Sequence, residues 1–266
     1  MVYKVTDDKP EVYKLVTASF HTIGEWREDP TDDPESPHWN VLWSWSSKPK
    51  VNRADLNIWQ RVNHYPGAFE LTRKDALKRN LAYCKSLFKP DRSVYKLFDV
   101  MPRTYALPQE YVQFCNAFSE GITFEKQDPG KKTRPRINYG SDNTWIMKPV
   151  CSSRGRGIFL INSIEEVEYG EAFVIQKYVD KPLLIHRHKF DLRLYVLVTC
   201  FNPLEAWLYR EGFARFCQVP YSTEKEDLKD KFVHLTNSSV QQVSFAFSAA
   251  NRQYGRQSGL PRNAFG

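Results

Sequence analysis

The sequence predicts an α/β protein with one or two domains, beginning with a small N-terminal α/β domain over residues 1–66. Three observations predict this class. Some amphipathic segments are long enough for helices, several short β-branched runs are bounded by turn residues, and one segment alternates apolar and charged residues. A hydrophobic content of 41% in 266 residues is sufficient to form a buried core.

The N-terminal domain is predicted from a helix and a strand that flank an acidic loop. Residues 11–20 (EVYKLVTASF) have the periodicity of an amphipathic helix, and residues 40–45 (NVLWSW) indicate a strand. Residues 28–37 contain five acids and three prolines, a composition that is typical of an exposed loop. We attribute these acids to solvation rather than to a metal site.

Two helices and a basic loop are predicted next. Residues 72–75 (TRKD) indicate the start of a helix that runs to about Phe88, with Thr72 or a neighbour as its N-cap. Residues 108–119 begin with a proline and predict a second helix. Residues 127–136 (QDPGKKTRPR) predict a mobile basic loop.

Residues 145–161 (WIMKPVCSSRGRGIFLI) predict a strand, a flexible loop and a second strand. The apolar flanks are too short and too β-branched for helices, and the first flank carries a single lysine, Lys148. Glycines in the loop let backbone amides approach an anion, and two arginines add positive charge, so the loop suits a polyphosphate. The segment lacks the ending of a Walker loop. An ordinary solvated turn explains the loop equally well when it is considered alone.

Two later segments combine apolar runs with polar side chains. Residues 173–179 (FVIQKYV) form an apolar run that Gln176 and Lys177 interrupt. Residues 189–199 (KFDLRLYVLVT) alternate, which predicts one strand. Its charged side chains share one face, namely Lys189, Asp191 and Arg193. A charged ligand explains this face better than solvent does.

These segments, together with NHYPG (63–67), LTRKD (71–75) and HLTN (234–237), resemble the tubulin tyrosine ligase-like family. The resemblance runs in order over about residues 39–240, and it is strongest to the polyglutamylase branch. A glycine-rich hairpin over phosphates and a strand beside an adenine are the arrangement that ATP-grasp ligases use. The resemblance therefore implies an ATP-grasp-like ligase fold.

The resemblance also implies a domain division and a reaction. A central ATP-grasp domain would cover residues 67–188, and a partial C-terminal one residues 189–240. In the family's reaction, ATP phosphorylates a carboxylate, the amine of an incoming amino acid attacks the acyl phosphate, and an amide bond forms. Positioning and charge stabilisation are the main catalytic demands of such a reaction.

The resemblance assigns ATP-binding roles to individual residues. Lys148 would hold the α- and β-phosphates, and Arg154 and Gly155 would form a lid, with Arg154 also touching the acceptor peptide. The remaining residues of the implied ATP site are Gln176, Lys177, Tyr178 and Val179 around the adenine, Lys189 and Asp191 at the ribose and phosphates, and Thr236 and Asn237 at its far side.

Other residues would serve the amino acid and the acceptor. Arg193 would stabilise the acyl phosphate, and Arg215 would grip the carboxylate of the incoming glutamate, because a guanidinium binds a carboxylate bidentately. Ser239 would complete the amino-acid site. Arg73 and Lys74 are candidates for contact with the acceptor, although exposed or ion-paired roles explain these two equally well.

Charge restricts the classes of partner. The net charge is +7, and residues 71–103 carry nine Lys/Arg against three Asp. Such a surface attracts nucleic acid, an anionic membrane or an acidic polypeptide, and it is also typical of a solvated helix face. We expect acidic tubulin tails or microtubules as the partner and glutamate as the substrate. We expect neither nucleic acid nor a membrane, because no nucleic-acid-binding motif, apolar span or secretory signal is visible.

The cysteine pattern indicates a reducing compartment, and the His-x-His pattern is considered as a possible metal site. The five cysteines are odd in number and lack metal-type spacing, so we predict buried, reduced thiols. His186 and His188 predict a surface loop rather than a metal site. We therefore predict a monomer in the cytoplasm and on the cytoskeleton, with the cilium or basal body as a further location.

The last 26 residues differ from the rest in composition. Residues 241–266 contain no Asp or Glu, and the quoted motifs end at about Val240. The family holds Mg²⁺ through an aspartate and a Glu-x-Asn motif, which find no match here. We therefore expect an unrelated, disordered tail, metal ligands in a missing C-terminal segment, a fold incomplete at its C-terminus, and no ligase activity from this chain.

Two alternative functions remain open from the sequence. The chain fits a non-catalytic nucleotide- or microtubule-binding module, which the unmatched metal ligands favour. It also fits a ligase of the same family that adds glycine or tyrosine. Arg215 favours an acidic amino acid over glycine, but tyrosine also carries a carboxylate, so Arg215 does not separate glutamate from tyrosine.

Overall fold

A computed structural model of the chain describes residues 1–6, 9–31, 33, 36–45, 51–121, 123–124, 137–138, 143–167 and 170–242. The chain divides into two compact units, and the boundary between them lies after Thr72. Both units contain helices and strands, which confirms the predicted α/β class. The finer division at residues 66, 188 and 240 remains a prediction.

The first unit is a parallel sheet with a helix packed on it. Its elements are β1 (Val2–Thr6), α1 (Pro10–Ile23), β2 (Arg27–Glu28), β3 (Val41–Ser44), a 3₁₀ helix (Arg53–Asp55), β4 (Arg61–Val62) and α2 (Phe69–Thr72). The strand order is β2-β1-β3-β4. Phe20 of α1 stacks on the buried Tyr3 of β1, with ring centroids 4.3 Å apart. The helix predicted at 11–20 and the strand predicted at 40–45 are confirmed.

The acidic segment 28–37 is only partly an exposed loop. Glu28 belongs to β2, and Asp29 is buried beside Lys4, with Nζ and Oδ2 3.4 Å apart. Burial acts to raise the pKa of Asp29, but hydrogen bonds from Thr31 and Ser36 outweigh it and hold the pKa below its ordinary value. The prediction that these acids are solvated is wrong for Asp29. Positions 32, 34 and 35 lie outside the described residues.

The second unit contains the remaining elements. They are α3 (Lys74–Leu87), α4 (Arg92–Leu97), β5 (Thr104–Leu107), α5 (Tyr111–Glu120), β6 (Thr123–Phe124), β7 (Ile137–Asn138), β8 (Trp145–Pro149), β9 (Phe159–Ile161), a 3₁₀ helix (Ile164–Glu166), β10 (Phe173–Lys177), β11 (Leu184–Ile185), β12 (His188–Arg193), β13 (Val196–Phe201), β14 (Leu204–Leu208), β15 (Phe213–Phe216) and α6 (Lys231–His234).

The two predicted helices of this unit are confirmed with changed beginnings. The helix predicted at 72–88 is α3, but its N-cap is Arg73, which makes no side-chain capping bond. Thr72 ends α2 instead. The helix predicted at 108–119 is α5, which begins three residues later at Tyr111. The predicted basic loop at 127–136 lies outside the described residues.

An antiparallel sheet with the order β5-β10-β8-β9 forms the centre of the second unit. Successive side chains of a strand point to opposite faces. One face carries Trp145, Met147 and Ile175, which pack with Phe114 of α5 in the main core. The rings of Trp145 and Phe114 meet edge to face at 5.3 Å. The opposite face carries Lys148 and the residues of the candidate site.

The strand–loop–strand prediction at 145–161 is confirmed by the antiparallel pairing of β8 with β9. The apolar run at 173–179 contains β10, which lies between β5 and β8. One other strand prediction is wrong. Residues 189–199 do not form one strand, because β12 ends at Arg193 and β13 begins at Val196.

The two halves of this segment pair with different strands. β12 lies between β11 and β15, whereas β13 pairs only with β14 among the described strands. Many apolar side chains of β11–β15 are exposed, including Leu192, Leu197, Trp207 and Leu208. Among the described residues, no helix is sufficiently long and apolar to span a bilayer.

Candidate functional site

Lys148 lies on the face of the central sheet opposite the main core, together with Ile146 of a second, smaller apolar cluster. Its Nζ donates to Gln176 Oε1 at 2.7 Å, and Gln176 Nε2 donates to Thr104 Oγ1 at 2.8 Å. These two bonds fix the amide orientation of Gln176, since only its oxygen can accept from the ammonium. Burial lowers the pKa of Lys148, and the nearby positive charge of Lys74 lowers it further.

Lys74 is the second ammonium of the site. Its Nζ donates to the carbonyl oxygens of Pro149 at 2.9 Å and Ser152 at 2.7 Å, where the glycine-rich loop leaves β8. Burial lowers its pKa. Sequence reasoning placed Lys74 at the acceptor peptide. In the structure, two of its three N–H groups hold the backbone of the loop.

Lys189 is the third ammonium. Its Nζ donates to Tyr178 Oη at 2.8 Å and to the carbonyl oxygen of His234 at 3.0 Å. Burial lowers the pKa of Lys189 to about 8; the Cys217 thiol acts to raise it and the neighbouring Lys148 to lower it. A buried ammonium is destabilised unless an anion compensates it. The charge of Lys74 acts on Lys148, and that of Lys148 acts on Lys189, so the three ammonium groups are neighbours. Together they suit a ligand with several negative charges.

The glycine-rich loop adopts a backbone that requires glycine. Gly155 and Gly157 have φ angles of +79° and +66°, and Arg154 has +61°. A Cβ atom on Gly155 would lie 2.7 Å from Cγ2 of Val240, so a larger residue does not fit without movement. Ser239 Oγ donates to the carbonyl oxygen of Arg154 at 2.7 Å. The loop is thus held against residues 237–240.

A cavity of about 830 Å³ lies between this loop and α6. Arg154, Arg156, Lys229 and Lys231 contribute to its lining. Asp230 is the acid in this lining, and its carboxylate accepts from the backbone N–H of Phe232 at the start of α6. Four of the ten lining residues are therefore cationic and one is acidic, which gives the cavity a net positive charge.

Asp191 and Arg215 face one another on neighbouring strands. They are register partners on β12 and β15, and Arg215 Nε donates to Asp191 Oδ1 at 2.8 Å while its NH2 group donates to Oδ2. This bidentate bond raises the pKa of Arg215. The resemblance gave these two residues to different ligands, the nucleotide and the amino acid. In this structure each is the other's partner.

The adenine-framing residues are only partly brought together. Lys177 lies on the core side of the sheet, with Nζ 5.3 Å from the Trp145 ring centroid, whereas Gln176 lies beside Lys148. The side chain of Tyr178 is buried and directed at His234 rather than at an open pocket. Val179 is exposed. The adenine role of this segment remains a prediction.

The other predicted residues lie at the edges of the site. Arg193 is exposed near the ring of Tyr195, at 5.3 Å from the centroid. Arg73 forms two hydrogen bonds with Asp75, at 3.1 and 2.8 Å, next to Lys74. Thr236 and Asn237 are half-buried and lie beside the glycine-rich loop, where Asn237 Oδ1 is close to Gly155.

The cysteine prediction is confirmed for Cys217, which is buried, and wrong for Cys151, which is exposed. His186 lies in an exposed turn, and His188 Nδ1 donates to the carbonyl oxygen of Cys217 at 2.8 Å. Within the described part of the chain, no group of three or more His, Cys, Asp or Glu side chains could hold a metal ion. The described residues therefore form no metal site of three or more such ligands, whereas the lysines suit a polyphosphate.

Sequence reasoning did not assign His234 or Thr104 to the site. Thr104 orients Gln176, and His234 accepts from Lys189 through its carbonyl oxygen. The only sequence signal for His234 was its position at the start of HLTN. Thr104 carried no signal, because strand pairing brings it to Gln176 from 72 residues away.

Comparison with known proteins supports the family resemblance found in the sequence. Residues 51–262 match the model of the tubulin-tyrosine ligase family, and the match continues past Val240, where the motifs found in the sequence end. The mouse tubulin polyglutamylase TTLL5 is 40% identical over 245 residues, which is 91% of this chain and 16% of that protein.

Two further relatives are probable polyglutamylases by name. The mouse probable tubulin polyglutamylase TTLL2 is 34% identical over 96% of this chain and 43% of its own length. The probable alpha-tubulin polyglutamylase Ttll1 of Tetrahymena thermophila is 32% identical over 92% of this chain and 60% of its own. The chain thus spans between about one sixth and three fifths of these relatives. The family match and these identities show that the chain belongs to the tubulin-tyrosine ligase family.

Proposed function

We propose that this chain carries the nucleotide-binding part of an ATP-dependent ligase that adds glutamate to glutamate side chains of tubulin tails. The observation that carries the proposal is the succession of Lys74, Lys148 and Lys189 on one side of a sheet, next to a glycine-rich loop. The names of the relatives supply the acceptor, tubulin, and the reaction, polyglutamylation.

The lysines would serve the phosphates of ATP in different ways. Lys148 and Lys189 each have N–H groups beyond those donated to Gln176, Tyr178 and the His234 carbonyl, because an ammonium has three donors. They would contact phosphate oxygens directly. Lys74 would act through the loop, since it holds the Pro149 and Ser152 carbonyls. ATP supplies the phosphoryl group that activates the acceptor carboxylate, and the fixed positive charges stabilise the charge that develops.

Arg215 and Arg154 would serve the two other substrates. Arg215 would contact the carboxylate of the incoming glutamate through its NH1 group, because Asp191 already accepts from Nε and NH2. Arg154 lines the cationic cavity, which would receive an acidic acceptor segment. We place the protein in the cytoplasm, on microtubules, with the cilium or basal body as a further location.

The test is a ligation assay with the whole chain. Purified protein is incubated with ATP, Mg²⁺ and tubulin, and radiolabelled glutamate, glycine or tyrosine is added in separate reactions. Glutamate incorporation that requires intact tubulin tails supports the proposal, and it would contradict the expectation from the sequence that this chain has no ligase activity. Incorporation of glycine or tyrosine instead would reassign the amino acid.

Nucleotide binding is measured in parallel by calorimetry. Nucleotide binding without any incorporation would favour the alternative of a non-catalytic nucleotide- or microtubule-binding module. The pairing of Asp191 with Arg215 and the lack of a three-acid group in the described residues favour this alternative. Failure to bind ATP at all would contradict the proposed ligase and would leave only the microtubule-binding form of the alternative.

A further inference from the structure

Tyr178, His234 and Lys189 form a buried chain of hydrogen bonds behind the phosphate face. Lys189 Nζ lies 2.8 Å from Tyr178 Oη, and Tyr178 Oη lies 3.0 Å from His234 Nδ1. His234 Nε2 lies 3.0 Å from the carbonyl oxygen of Asp227. Both Tyr178 and His234 are almost fully buried, at 6% and 2% exposure. Their polar atoms are used within the protein.

The direction of each bond in this chain can be determined. A carbonyl oxygen only accepts, so His234 Nε2 carries a proton and donates to Asp227. Burial lowers the pKa of His234, so the ring is neutral and its Nδ1 is an acceptor. Tyr178 must then donate to Nδ1, which leaves the lone pairs of its oxygen directed at the Lys189 ammonium.

We infer that Tyr178 and His234 are positioning residues that orient the Lys189 ammonium, with two of its N–H groups held inside and the third directed toward the phosphate site. The phosphate role of Lys189 rests on the proposed function. The orientation itself does not. The Tyr178 hydroxyl is an effective acceptor because its proton is committed to His234.

Other charged and titratable groups surround this chain. Cys217, Lys148 and Asp191 act electrostatically on Lys189. Asp227 and Asp230 act on His234, whose ring also meets that of Tyr221 edge to face at 5.8 Å. The Tyr221 hydroxyl lies beside that of Tyr178 and donates its own proton to the carbonyl oxygen of Asp180 at 2.7 Å. Tyr221 is therefore not a neutral control.

The direct test is a pH titration of Lys189 by NMR in the whole chain labelled with [6-¹³C]lysine. Lys189→Arg identifies the resonance. Tyr178→Phe removes one acceptor from the ammonium, so we expect the titration midpoint of Lys189 to fall by about 0.5 to 1 pH unit. His234→Leu frees the Tyr178 proton and should lower the midpoint by less. His234→Asn keeps an acceptor near the position of Nδ1, so the Lys189 midpoint should return to its wild-type value.

The matched control is Tyr105→Phe. Tyr105 also lies on the central sheet but on its core side, against Trp145, and should leave the Lys189 midpoint unchanged. An unchanged midpoint in both Tyr178→Phe and His234→Leu, with thermal melts that show folded protein, would overturn the inference. If Tyr178→Phe does not fold, the contrast between His234→Leu and His234→Asn decides.

A second measurement connects this chain to nucleotide. Affinity for the non-hydrolysable ATP analogue AMPPNP with Mg²⁺ should fall about 2- to 12-fold in Tyr178→Phe at neutral pH, and His234→Asn should retain it. Wild-type protein that binds no AMPPNP would contradict the proposed function, while the NMR titration would still decide the orientation of Lys189. Normal AMPPNP affinity in Tyr178→Phe would contradict the inference alone.

Discussion

Lys148 gives the most direct prediction at the scale of a single residue. Lys148→Ala removes a charge-assisted phosphate contact, so nucleotide affinity should fall about 10- to 150-fold, measured by calorimetry. The fold should be retained, because the other face of the sheet holds the main core. Lys181→Ala, which removes an exposed lysine, is the matched control. Unchanged affinity in the Lys148 variant would remove the lysine from the phosphate site.

His234 predicts a pH dependence of stability. Burial holds its pKa below the unfolded value of about 6.5, so the unfolded chain binds a proton that the folded chain does not. The free energy of unfolding should therefore decrease as the pH falls below about 6.5 toward the folded pKa. Urea unfolding of wild type and His234→Asn at pH 7 and at pH 5 measures the contribution of His234 to the pH dependence of the unfolding free energy. An identical pH dependence in the two proteins would show that His234 is not buried as a neutral ring.

At this scale, the sequence located charged residues but not the direction of their side chains. The prediction for Lys148 followed from a lone charge in an apolar strand, and that for Lys189 from a charged strand face and the family resemblance. Alternation assigned Lys189 to a face, but it could not show that Tyr178 turns inward to meet it. Lys74 was a candidate for acceptor contact through the family resemblance, and its contacts with Pro149 and Ser152 depend on tertiary packing.

The glycine-rich loop gives the prediction at the scale of an element. Gly155→Ala introduces both a strained backbone, at φ +79°, and a Cβ atom 2.7 Å from Val240. We expect a loss of about 1–3 kcal/mol in unfolding free energy and a weaker affinity for nucleotide, because the loop must move from residues 237–240. Chemical denaturation measures the first effect, and calorimetry with AMPPNP the second.

Gly67→Ala is the matched control for this substitution. Gly67 has a similar φ angle, +71°, but no atom of the described residues beyond its two chain neighbours lies within 4 Å of an added Cβ. It therefore reports the backbone strain alone. If both alanine variants lose the same stability and retain nucleotide affinity, the contact between Gly155 and Val240 does not hold the loop.

Elements with a strong local pattern were predictable, and those defined by pairing were not. α1, α5 and the β8–β9 hairpin were recognised from periodicity and from a glycine-rich connection. The segment 189–199 alternates without interruption, so nothing local indicates that the strand ends at Arg193. The break follows from a change of partner, since β12 pairs with β15 and β13 with β14.

At the scale of the whole molecule, the basic segment 71–103 predicts salt-sensitive association with tubulin tails. Ion pairs neutralise part of the positive charge of this segment. Lys78 pairs with Glu110, Lys85 with Asp99, and Arg103 with Glu120 at 3.0 Å. Lys89 and Lys96 are exposed. Replacing both with Gln should weaken microtubule co-sedimentation more at low than at high salt, since exposed charges are screened over about 8 Å at physiological ionic strength.

The charge-matched control replaces Lys181 and Lys225, which are exposed elsewhere, with Gln. Both variants lose two positive charges, so a difference between them measures position rather than net charge. Co-sedimentation is repeated after proteolytic removal of the tubulin tails. Equal pelleting with and without tails would exclude tail recognition by this segment.

The exposed hairpin of β13 and β14 predicts that the purified protein tends to aggregate. Residues 194–201 (LYVLVTCF) have high β-propensity and contain neither charge nor proline, and Trp207 and Leu208 on the partner strand are 60% and 64% exposed. Such a segment is a template for cross-β stacking. The protein on its own should therefore form thioflavin-positive aggregates on warming, and a single lysine in place of Leu197 should delay their appearance in a light-scattering time course.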